Sequence, residues 1–165
     1  MPPQVAEGRA PNQIFAPDEL LFRRVPFTHI EEGEVNALAI ASEMKLDPDP
    51  QKCGSAVRSA YADSFADAIH PNCSGDKDLS NTHKIMHVSV SELPQGLEID
   101  PPTGEDRIRW DIFPHHDPIP ACFAHSTICC CTQDAPRVAV TPPKSVRKQF
   151  REQFAAALKP SDTLA

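Results

Sequence analysis

Eighteen prolines in 165 residues are about twice the usual share of roughly 5%. Each fixes its own φ, removes a backbone donor and pushes the residue before it towards extended geometry. A chain punctuated this often is expected to form short elements joined by much irregular structure. Three of these prolines, Pro114, Pro118 and Pro120, fall in one stretch, Trp110 to Cys131 (W-D-I-F-P-H-H-D-P-I-P-A-C-F-A-H-S-T-I-C-C-C). That stretch holds the only Trp, three of the seven His and four of the six Cys. It reads as a strand, a stiffened corner and a second strand, with His125 near the start of the second.

The length suits one domain, and a chain of this size buries a core without staples. A hydrophobic share of 40% and a mean hydropathy of -0.38 read as soluble. The formal charge is -7 and the pI is about 5.4. Nucleic acid and membrane surfaces repel that balance, so neither is an expected partner. No apolar run reaches the roughly 18 residues that span a bilayer. With six glycines, the chain has no G-x-G-x-x-G or G-K-[ST] phosphate cradle. The N-terminus has no apolar leader segment, so a cytoplasmic, reducing setting is expected. Cys129, Cys130 and Cys131 are consecutive and would point to alternate faces of a strand. That is a poor disulfide framework, and all six thiols are expected to be free.

Residues 1–17 read as a flexible arm pinned by Ile14 and Phe15, residues 18–159 as a single domain, and residues 160–165 as a frayed tail. Strands are expected at Leu20–Val25, Ile85–Ser91, Leu97–Ile99, Ile108–Phe113, Thr127–Cys131 and Val138–Val140. Val35–Ser42 fits a strand or a short helix, with strand favoured. Alternation in Ile85–Ser91 puts Met86, Val88 and Val90 on one face and His87 on the other. A helix is expected over Ser55–Ile69, capped by Ser55 and striped by Val57, Tyr61 and Phe65. A second is expected over Ser145–Leu158, where Val146, Phe150, Phe154 and Leu158 recur every fourth residue. Trp110, Val88, Val90, Phe150 and Phe154 should share one core. The fold class is therefore α+β: a mixed, mostly antiparallel sheet of about five short strands with two helices packed on it.

Three constellations carry chemistry. Cys122, His125 and Cys129 are spaced C-x2-H-x3-C, and thiolates with imidazole are zinc's preferred donors. The alternative is buried cysteine packing beside a hydrogen-bonded histidine. Cys53 precedes the expected Ser55 helix, where a helix N-terminus favours the thiolate. His87 on its strand would be the base. This order, Cys before a helix and His on a strand, resembles NlpC/P60-type cysteine peptidases. The resemblance implies a thiol hydrolase, although the Gly-rich surroundings and the acidic residue of that family are missing. Third, the corner carries His115, His116 and His125 as binding residues, on a loop whose prolines reduce the entropy lost in fixing it. His125 is expected to be partly buried, with the Ser126 or Thr127 hydroxyl or Asp117 as partners.

The opening Leu20–Pro26 (L-L-F-R-R-V-P) and the Ala124-His125 step resemble features of small uncharacterised bacterial single-domain proteins. That resemblance implies a free-standing domain accessory to a larger protein. The expected function is a non-enzymatic accessory or protein-interaction domain of a bacterial cytosolic multi-component system, with a protein partner and no cofactor. The alternative is a Cys/His-site protein, either stabilised by zinc at Cys122, His125 and Cys129 or working as a Cys53/His87 thiol hydrolase.

Overall fold

Alternating apolar residues on either side of the corner form one of the two longest pairings among the described residues, matched by that of β1 (Leu20–Pro26) with β5 (His83–Ser89). Strand β7 (Arg109–His116) runs antiparallel to β8 (His125–Thr132), with Trp110 opposite Thr132 and His116 opposite Ser126. The structure, a computed structural model, describes residues 14–37, 46, 54–61, 81–98, 108–118 and 122–161. In chain order the other elements are β1 (Leu20–Pro26), β2 (Ile30–Glu31), β3 (Glu34–Val35), β4 (Gly54–Arg58), β5 (His83–Ser89) and β6 (Leu97–Glu98). After β8 come helix α1 (Lys144–Ala157) and β9 (Lys159–Pro160). Seven strands form one curled, antiparallel half-barrel sheet in the order β6-β7-β8-β4-β1-β5-β9. β2 and β3 form a separate hairpin, turned by Glu32 (φ 51°) and Gly33 (φ 82°). Two positive φ values in succession are what a tight two-residue hairpin turn requires.

This corrects the expected α+β arrangement of about five strands carrying two helices. The largest difference is at Ser55. Residues Gly54–Arg58 are not the start of a helix but a central strand between β8 and β1. Ala56, Val57 and Arg58 are all buried, so the strand is covered on both faces and shows no alternation. The four-residue spacing of Val57 and Tyr61 then imitated a helical stripe. Residues 62–69 of the expected helix lie outside the described residues. β6 and β9 have two residues each, too few to show any period. Val138–Val140 does not join the sheet as a strand; Val140 makes one backbone bond to Cys130, at 2.8 Å. Of Val35–Ser42, only Val35 belongs to a strand, β3, and residues 38–42 lie outside the described residues.

The expected core is borne out. α1 lays Val146, Phe150 and Phe154 on the sheet, all fully buried, and the two Phe rings stack at 5.1 Å. They share a cluster with Leu21, Val88, Trp110, Ile112 and Ile128, and Val90 packs against it. The opposite face of β1, β4 and β5 carries a second cluster, Phe22, Val57 and Ile85, joined by Cys122 and Ala124. The chain closes at its far end as well. β9 pairs with β5, and Ser161 is fully buried. Pro160 and Ser161 are therefore part of the packed structure, not of a frayed tail; residues 162–165 lie outside the described residues.

One buried ion pair ties the start of the sheet together. Arg58 Nε and Nη2 donate to the two carboxylate oxygens of Glu19 at 2.7 and 2.8 Å. Arg58 Nη2 also donates to the Ile14 carbonyl at 3.0 Å, and the guanidinium lies 3.7 Å from the centre of the Phe15 ring. The expected pinning of the arm by Ile14 and Phe15 thus has a named cause. Breaking a buried pair from one side strands a charge. Glu19→Ala is therefore expected to lower stability by about 3–5 kcal/mol. The double replacement Glu19→Leu, Arg58→Met should cost less than that single change. Urea unfolding of the three variants decides the matter; a double variant less stable than Glu19→Ala would contradict it.

Candidate functional site

Strand alternation divides the corner's histidines between two environments. His115 is exposed and lies opposite Thr127, whereas His116 is 2% exposed and lies opposite Ser126. Consecutive strand residues point to opposite faces, so the two cannot line one site. His116 packs between the rings of Tyr61 and Phe123, with centroids at 5.2 and 5.1 Å. Burial first, and the nearby Arg58 cation second, lower its pKa to about 4. Its role is in the core, which corrects its expected place among the binding residues.

His125 is half-buried and hydrogen-bonded, as expected, and of its expected partners Asp117 serves, through its backbone carbonyl. Ser126 is turned to the buried face and is fully covered. The Asp117 carbonyl oxygen lies 2.7 Å from Nδ1, and Ser55 Oγ, in place of a Ser126 or Thr127 hydroxyl, lies 2.9 Å from Nε2. The local sequence explains both contacts. β4 pairs with β8 so that Val57 faces His125 and Ser55 faces Thr127, which makes Ser55 the diagonal neighbour of His125 on the same face. Asp117 lies across from His125, and its N–H donates to the His125 carbonyl at 3.1 Å. Pro118 restricts Asp117 to extended geometry and so helps to fix its carbonyl's direction.

These contacts define the proton positions. A carbonyl oxygen only accepts, so Nδ1 carries the hydrogen that it shares with Asp117. In the neutral ring Nε2 is then the acceptor, and the Ser55 hydroxyl donates to it. Ser55 is itself anchored from behind. Its carbonyl points towards β1, where the backbone ladder ends at Phe22–Val57, and accepts from Arg23 Nη1 at 2.7 Å. Thr127 completes this polar patch and accepts from the Cys129 thiol at 3.5 Å. Sequence reasoning missed Ser55 because it read the residue as a helix cap. Its one sequence signal is the isolated hydroxyl in G-S-A-V-R.

The other expected site residues are placed differently. Cys53 lies outside the described residues. His87 is 7% exposed on β5, and its Nδ1 lies 3.2 Å from the buried Ser161 Oγ. Burial, then the Lys159 cation, lower its pKa, against the pull of Glu92. Cys122 is disulfide-bonded, which corrects the expectation of six free thiols and removes its sulfur as a thiolate donor to zinc. Cys129, Cys130 and Cys131 are buried thiols, and burial pushes Cys130 up to about 12. The Cys122, His125 and Cys129 set is therefore not assembled, and among the described residues no group of three His, Cys, Asp or Glu is placed to hold a metal. An open cavity bounded by Glu31, Glu32, Glu34, Val35 and Asn36 lies at the β2–β3 hairpin. Carboxylates on an open hairpin specify no ligand by themselves, so the hydroxyl–imidazole patch is the better candidate.

No family model matches the chain, and no curated protein or solved structure matches it either. The site is therefore read from its own chemistry.

Two measurements test this description. Thiol titration of the denatured protein without reductant should find at most four of the six cysteines reactive, and all six after reduction. Reduction should also lower stability by about 2–4 kcal/mol. Six reactive thiols before reduction would contradict the disulfide. The second concerns His116. Its folded pKa lies near 4, against 6.5 unfolded, so between those values the unfolded chain binds more protons. Stability should therefore fall as pH drops from 6.5 towards 4. His116→Phe should flatten that loss, read as the change in urea midpoint between neutral pH and about pH 4.5. An unchanged slope would show that another group carries it.

Proposed function

We propose that this chain is a protein-binding accessory domain and that its recognition surface is the patch around His125. The observation that carries the reading is the double restraint on the His125 ring, from Ser55 at 2.9 Å and from the Asp117 carbonyl at 2.7 Å. A half-exposed imidazole held on both nitrogens loses little entropy when it meets a partner. Exposed His115 and Asp117 flank it, so the patch presents polar groups of set direction. A role in a bacterial multi-component system follows only from the resemblance of the L-L-F-R-R-V-P and Ala124-His125 segments. The Cys122 disulfide favours an oxidising compartment over the cytosol expected from the N-terminal sequence. Among the described residues no helix is long and apolar enough to cross a membrane.

Photo-crosslinking from position 115 in producing cells tests the reading. A single protein adduct is expected, lost in His125→Gln and weakened but still detected in Ser55→Ala, which removes one of the ring's two restraints. Absence of an adduct, or an adduct indifferent to His125→Gln, would reject this surface.

A further inference from the structure

Ser55 and His125 do more than restrain each other. We propose that Ser55 is a nucleophile, that His125 is its general base, and that the patch hydrolyses carboxylic esters through an acyl-serine intermediate. Geometry and hydrogen-bond polarity both place the serine ready for attack. Ser55 Oγ lies 2.9 Å from His125 Nε2, within reach for direct proton transfer. The Asp117 carbonyl, 2.7 Å from Nδ1, requires the tautomer that leaves Nε2 as the acceptor. The hydroxyl proton therefore already points at the base that would remove it. This is the arrangement of an activated serine: nucleophile, base, and a third group that orients the base. Here the third group is a backbone oxygen, itself set by Pro118. Asp117 thus acts as a positioning residue through its main chain.

A second serine–histidine contact shows what this one has in addition. His87 and Ser161 approach to 3.2 Å, but they are 7% and 0% exposed, so no substrate reaches them. Ser55 and His125 are both half-buried, partly open to solvent and partly sheltered by the sheet. They also sit on two adjacent strands of the sheet rather than on loops, which holds their separation firmly.

The chemistry balances with an ester and water alone. Ser55 Oγ adds to the ester carbonyl carbon as its proton passes to Nε2. The tetrahedral adduct collapses, the C–O bond to the alcohol breaks, and the leaving oxygen takes the proton from Nε2. Water then gives a proton to Nε2 as its oxygen adds to the acyl carbon. Collapse releases the carboxylic acid and returns the proton to Ser55. No oxidant, metal or second cofactor enters either half. The proposal is separable from the partner-binding reading, because Ser55→Ala removes the nucleophile outright but only one of the two restraints on the imidazole.

The test uses the full chain and a fluorophosphonate probe, followed by peptide mass analysis. The expected result is one adduct per chain, on the peptide containing Ser55, absent in Ser55→Ala. His125→Gln keeps the hydroxyl but removes the base, and labelling should slow by about 100-fold or more. Circular dichroism checks that this variant is folded. If it does not fold, the wild-type protein still decides: p-nitrophenyl acetate should give a nitrophenolate burst of one per chain and an acetyl group on Ser55. An unlabelled and unacetylated Ser55, or labelling of folded His125→Gln at the wild-type rate, would overturn the proposal. Loss of chemistry with crosslinking intact would overturn this inference alone.

Discussion

A guanidinium with almost no access to water is the fixed point of this molecule. Arg58 is 1% exposed, and it is the last residue of the central strand β4. Such a charge is tolerated only where its donors meet acceptors of the right geometry, and Glu19 supplies a two-pronged one. The Ile14 carbonyl and the Phe15 and Tyr61 rings fill the space around it. The pair thus joins the residue before β1 to the end of β4. That end is three residues from Ser55, so the strand carrying the candidate site is anchored at one end by ions. Further along, Arg23 bonds the Ser55 carbonyl where the β1–β4 ladder has stopped. Two arginines thus hold β4 against its neighbour where backbone pairing alone spans only two residues.

Near the corner, the polar groups of β4, β7 and β8 divide by face. Those facing α1 have become core components: His116 stays neutral among aromatic rings, and Ser126 is fully covered. Those facing the other way, Ser55, His125 and Thr127, keep access to solvent. Which face a residue takes was decided by strand parity within β7 and β8, and a one-residue slip would have exchanged the two sets.

Much of this was legible in the sequence, and the failures have physical causes. α1 announced itself through four apolar residues at a spacing of four. β1, β5 and β7 were readable because each has a recognisable apolar run or alternation, and Pro26 marked the end of β1. The half-buried, hydrogen-bonded state of His125 followed from its flanks. β4 was misread because a strand covered on both faces loses its period. The site went with it, since Ser55 reaches His125 only through a pairing between residues seventy positions apart. No local pattern encodes that register. The cysteine reading failed for a similar reason: the consecutive thiols dominate the local pattern, while the bonded Cys122 lies outside the triplet.

The last packed segment has a consequence for how the protein is made. Phe150, Phe154 and Leu158 cover one face of the sheet, and β9 then extends its β5 edge. Synthesis delivers the sheet's strands first and their cover last. While residues 144–161 are still within the ribosome, Leu21, Met86, Trp110 and Ile128 lack the cover of Val146, Phe150 and Phe154. A nascent chain stalled before this point would display an open, apolar sheet, the kind of surface that chaperones hold and that neighbouring chains adhere to. Packing of this sheet is therefore completed after translation of α1, not during the emergence of its strands.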